Sequence, residues 1–100
     1  MNDDRRWLER HTAQAPPTLR ERVMRYAGEA KAGTLPARLA AAGVSALAWV
    51  ESHPGDRSAA LDLLAADALV TLALLAQAQQ DATRLHAFAG SMLQSATAAP

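Results

Sequence analysis

The run from Ala59 to Ala78, AALDLLAADALVTLALLAQA, is apolar nearly all the way round, yet it carries Asp62 and Asp67. Ala and Leu make up most of it, and both are strong helix formers, so the segment reads as one long helix. A helix apolar on most sides must be surrounded by protein or by lipid. The run therefore predicts a central helix wrapped by its neighbours, without naming any chemistry.

The length also suits a membrane span, which takes about 20 residues. Two aspartates near the centre would each cost roughly 2.5–3.5 kcal/mol, and the many alanines insert only weakly. Basic flanks and an aromatic belt are missing as well. The sequence thus favours a protein surround, with no membrane partner.

The flanking segments supply that surround. Asn2–His11 can form a short helix with Asp3 and Asp4 at its positive end, and 12–17, TAQAPP, reads as a linker because its prolines stop a helix. Thr18 is a competent N-cap for a helix over 18–32 that buries Leu19, Val23, Tyr26, Ala27 and Ala30, with Gly33 at its C′ position. A second helix over 36–52 starts at Pro36 and places Leu35, Leu39, Gly43, Ala46, Leu47 and Val50 on one face. Gly43 costs about 1 kcal/mol there relative to Ala, which predicts close approach by another helix.

The long helix follows over 58–80, capped by Asp56 or Ser58. Asp81 can cap a last helix over 82–95, with Leu85, Phe88, Ala89, Met92 and Ala96 inward. The expected fold is all-α: a small antiparallel four-helix bundle over 18–96, preceded by a short N-terminal helical segment and Pro linker (1–17) and ending in a frayed tail (97–100). One hundred residues leave room for one domain and one core.

Charge excludes further classes. The ten basic and ten acidic residues balance, so no global field draws the chain to nucleic acid. The densest basic group, Arg20, Arg22, Arg25, Lys31 and Arg38, is interleaved with Glu21 and Glu29, which suits a solvated face. The absence of cysteine removes disulfides, thiolate metal sites and thiol nucleophiles. The charged start MNDDRRWLERH is unlike a signal peptide. Lacking Ile, with one Lys and many Arg, the composition points to a GC-rich bacterial genome, and the expected location is the cytoplasm.

Catalytic signatures are absent. His11, His53 and His86 have no acidic or histidine partner at helical ligand spacing, the glycines are scattered, and no serine sits in an elbow motif. No catalytic residue, cofactor or metal is therefore expected.

On a helical projection of the long helix, Leu61, Leu64, Ala65, Ala68, Leu72 and Leu75 form the widest apolar stripe, expected to be the core face. Leu63, Val70 and Leu74 form a second stripe, expected to remain uncovered. Asp62, Ala66, Ala73, Gln77 and Gln80 are assigned to solvent, and Asp67 with Thr71 to a buried polar pair between the stripes, with Arg38 or Arg84 as ion partner. Trp7, Leu8 and Trp49 join Leu63, Val70 and Leu74 as candidate interface residues.

These readings favour a non-enzymatic interaction or assembly module whose partner is a second copy, another protein, or both. A transcriptional regulator using the basic first helix is the alternative, and a ligand-binding or catalytic bundle around Asp67 the third.

Overall fold

The computed structural model describes residues 3–31 and 33–97. Five helices follow in order: α1 (Asp3–His11), α2 (Pro17–Glu29), α3 (Leu35–Ser52), α4 (Ala59–Asp81) and α5 (Leu85–Thr97), with one turn of 3-10 helix (Ala82–Arg84) before α5. No strand occurs among the described residues. The all-α bundle with a long third member and a short N-terminal helix is the observed architecture, α2–α5 forming the bundle.

Local chemistry moves several boundaries. Pro17 takes the first helical position of α2, where its missing N–H costs nothing, so Thr18 lies inside the helix rather than capping it. The helix closes at Glu29, with Ala30 extended at φ −87° and ψ 111°, three residues before the expected end. Gly33, at φ +97°, serves the connection instead of the α2 terminus, and Thr34 accepts a hydrogen bond from Ala37 N to cap α3. Ser58 precedes α4 without capping it, its amide and hydroxyl both donating to Asp56. Asp81, at φ −161°, breaks the chain's helical path, and its carboxylate accepts from Thr83 N at the start of the 3-10 turn. Helix α5 then runs through Thr97, while the rest of the expected tail, 98–100, lies outside the described residues, as do Met1 and Asn2.

The most extensive contact joins α3 to α4. Its basis is small residues: Ala42, Gly43 and Ala46 of α3 and Ala65, Ala66, Ala73 and Ala76 of α4 are all buried. A β-carbon on Gly43 would lie 3.1 Å from Val70 Cγ2 and 3.5 Å from Leu69 Cβ, so the glycine does admit close approach of α4. Leu39, Leu69 and Val23 fill the centre and are almost completely buried.

The inward face of α4 is therefore not the leucine stripe. Asp62, Ala66 and Ala73, expected in solvent, are buried, whereas Leu64 and Leu75, expected in the core, are 55% and 38% exposed. Ala65 and Leu72 from the expected core stripe are buried, and Leu61 and Ala68 are half-buried. The alanine side wins because two helix backbones can approach most closely there, and dispersion contacts follow the close approach.

Candidate functional site

Two places on the bundle carry more than core packing: a buried ion cluster between α2 and α4, and the outer face of α4. The cluster arises because Arg22 and Tyr26 stand one turn apart on α2, bracketing Val23, and both reach α4. Arg22 Nη1 donates to Asp62 Oδ1 at 2.7 Å, and the Tyr26 hydroxyl donates to the same oxygen at 2.8 Å. Asp62 is 2% exposed.

Burial works to raise the Asp62 carboxyl, but the hydrogen bonds from Arg22 and Tyr26 and the guanidinium charge hold it below the usual carboxylate range. Tyr26 is pushed up to about 12, first by burial, then by its hydrogen bond to the Asp62 carboxylate and by that group's charge. A tyrosine kept protonated beside a carboxylate kept ionised is a structural clamp.

This cluster escaped the sequence reading, which took Asp62 for a solvated first-turn carboxylate. Its signal was the pair Arg22 and Tyr26 flanking a valine on the buried side of α2, two polar groups that needed a partner.

Asp67 and Thr71 are not a buried pair; both are exposed. Arg38, one expected partner of Asp67, instead donates through Nη1 to Asp4 Oδ2 at 3.1 Å and through Nε to Ala30 O at 3.1 Å. The other, Arg84, is exposed in the 3-10 turn. Asp67 sits outside the inward arc of α4, so solvent rather than an arginine satisfies its charge.

The expected interface residues separate into two groups. Leu8 is 5% exposed and belongs to the monomer core, and Trp7 is half-buried with its Nε1 donating to Gln79 Oε1 at 2.8 Å. Helix α1 thus docks on the bundle, which removes both residues from the free surface. Trp49 is half-buried, stacked at 3.9 Å on His53 at the end of α3, and Trp7 stacks in the same manner on His11 at 4.0 Å. In both pairs the histidine Nδ1 lies 2.8 Å from the tryptophan carbonyl four residues back, closing the last turn of the helix.

Val70 and Leu74 are half-buried against the core, beside the side of α4 where α5 returns, while Leu63 stays 50% exposed. Helix α5 covers this side only loosely. Met92 is its one buried residue, Leu93 is 65% exposed, and an open apolar groove of about 460 Å³ runs between Val44, Leu47, Leu63, Val70 and Ala96. Farther round α4, beyond the exposed Asp67, Leu64 and Leu75 are exposed as well.

No known protein family matches the chain, and neither curated proteins nor solved structures give a match. The site must be judged on its own chemistry.

Proposed function

We propose that this chain is a non-enzymatic interaction module that self-associates through the outer face of its longest helix. The observation that carries this reading is the exposure of Leu63, Leu64 and Leu75 on α4, the helix whose opposite side forms the tightest packing in the bundle. Several large apolar side chains exposed on one helix mark an association surface in soluble proteins. A two-fold dimer is the simplest closed assembly, since one face meets its own copy.

The alternative as a nucleic-acid regulator draws less support. Arg22 is committed to Asp62, and Arg38 to Asp4 and the Ala30 carbonyl, which removes two of the five cations from a phosphate-binding surface. A catalytic bundle around Asp67 draws little, because that carboxylate is exposed beside apolar walls with no other titratable group lining the same groove.

Light scattering tests the proposal. The expected mass at tens of micromolar is twice the 10.6 kDa of the chain. A Leu64→Glu, Leu75→Glu variant should be a monomer with unchanged helix content. A monomeric wild-type protein overturns the reading.

A further inference from the structure

We infer that the cleft between α1, α2 and α3 binds a free α-amino acid with a large apolar side chain. The inference goes beyond the self-association proposed above, and no residue of α4 lines the cleft.

The cleft measures about 570 Å³, within the range of small-molecule sites. Its floor is apolar: Leu8 of α1, Ala27 of α2, and Leu35 and Leu39 of α3 are buried, and Met24 is half-buried. Charged side chains stand at the rim, Asp3, Asp4 and Arg5 on α1 and Arg38 on α3.

Gly28, in the last turn of α2, is the observation that points to an occupant. A glycine weakens a helix, and its usual return is a left-handed backbone or the close approach of another group. Gly28 has neither within the chain. Among the described residues, positive φ occurs only at Gly33 and Gly55, and an added β-carbon at Gly28 would meet nothing within 4 Å. At Gly43 the same kind of opening is filled by Val70. Gly90 is equally vacant, but it lies on α5 and does not line the cleft. At Gly28 the opening belongs to the cleft wall, where a bound molecule can reach the helix backbone.

The charges select the ligand. Arg38 is fixed from two sides, donating through Nε to Ala30 O and through Nη1 to Asp4 Oδ2, both at 3.1 Å. Its Nη2 makes no hydrogen bond among the described residues, so a positioned donor remains for a carboxylate. Arg5 is engaged by Glu9 at 3.2 Å. Asp3 pairs with no cation among the described residues, which leaves one carboxylate at the rim. A monocarboxylate on Arg38 would face Asp3, and an amine on Asp3 would face Arg38, each beside a like charge. An α-amino acid answers both, with its carboxylate on Arg38 and its ammonium on Asp3. Its side chain then lies over Gly28 against the apolar floor.

Calorimetric titration of the full chain with L-leucine, L-methionine and L-phenylalanine should show one saturable site. Isocaproate is leucine without its ammonium, and isoamylamine is leucine without its carboxylate. Each should bind about tenfold more weakly than leucine, or worse. Asp3→Asn should weaken leucine about tenfold and leave isocaproate no weaker. Gly28→Leu should fill the opening and abolish binding with helix content intact by circular dichroism, since nothing in the chain stands within 4 Å of the added carbon. Because α1 supplies one wall, leucine should also slow hydrogen exchange of the α1 amides in the wild-type protein and not in Gly28→Leu.

No saturable binding up to about 10 mM, equal affinity for leucine, isocaproate and isoamylamine, or undiminished binding by Gly28→Leu overturns the inference. None of these outcomes bears on the dimer, whose mass is read separately by light scattering.

Discussion

The Arg22 guanidinium donates to the Asp62 carboxylate at 2.7 Å, joining α2 to α4 across 40 residues of chain. The carboxylate is buried, while the Arg22 side chain keeps 20% of its exposure. Removing one member of a buried pair leaves the other charge without compensation, at a cost of about 3–5 kcal/mol. Because Arg22 can partly turn to water, Asp62→Ala should lose about 2–4 kcal/mol, reaching below that range. Urea unfolding followed by circular dichroism measures this. A loss below 1 kcal/mol, roughly the value of an exposed pair, would mean the clamp is not closed in solution.

The same clamp sets the pH limits of the fold. The folded-state carboxyl of Asp62 lies below its unfolded value near 3.8, so the native state binds fewer protons in the acid range. Its stabilisation is complete above that value and is lost as pH falls through the depressed folded-state one. Asp56, held down by the amide and hydroxyl of Ser58, works in the same direction. Tyr26 works at the other end: raised from 10.0 to about 12, it contributes stability that is complete below 10 and lost as pH climbs through 12. Stability measured in urea should be flat between these limits and fall on both sides. Asp62→Asn should reduce the acid slope, and Tyr26→Phe should reduce the alkaline one. Unaltered slopes in both variants would assign the limits to other groups.

The contact between Gly43 and Val70 can be tested as a coupled pair. In a helix interior, Gly→Ala gains about 1 kcal/mol of backbone stability. At Gly43 the added carbon would meet Val70 Cγ2 at 3.1 Å, a contact tight enough to offset that gain. Gly43→Ala alone should therefore change stability by less than about 1 kcal/mol in either direction. In a Val70→Ala background the obstruction is gone, and the same substitution should stabilise by about 1 kcal/mol. The double-mutant cycle reports the difference as a coupling energy. Strict additivity would show that α3 and α4 have room to separate.

Helix identity, the order of the elements and the close approach at Gly43 were all legible in the sequence, because each rests on local propensity or on one residue's size. The inward direction of α4 was not. Hydrophobicity separates faces only when one is polar, and α4 has leucine or alanine on nearly every side. The face that packs, with Ala65, Ala66, Leu69, Leu72, Ala73 and Ala76, carries leucine as well as alanine, as does the side with Leu63, Leu64 and Leu75, so hydrophobicity alone does not rank them. The inward face was selected by fit against Ala42, Gly43 and Ala46, a relation between two helices that a projection of one cannot contain. Misplacing that face sent Asp62 to solvent and Asp67 inward, so the ion cluster was missed and the exposed Leu64 and Leu75 were assigned to the core.

Two other glycines should respond to alanine with opposite signs. Gly90 lies inside α5 with nothing within 4 Å of an added β-carbon and with no left-handed backbone. Gly90→Ala should stabilise the protein by about 0.5–1 kcal/mol, partly by restricting the unfolded chain. The gain is useful there because α5 buries only Met92 and depends more on its own propensity than the helices inside the bundle. Gly33 has φ +97° in the connection before Thr34, and a β-carbon there would also come within 3.5 Å of Ala37 Cβ. An alanine at Gly33 must either hold that left-handed conformation, at about 1–2 kcal/mol, or reshape the turn that presents Thr34 to α3. Thermal melts of the two single variants should therefore shift in opposite directions. A gain from Gly33→Ala would show that the α2–α3 connection adopts a different turn in solution, since restricting the unfolded chain is worth about 0.4–1 kcal/mol and does not outweigh the left-handed strain.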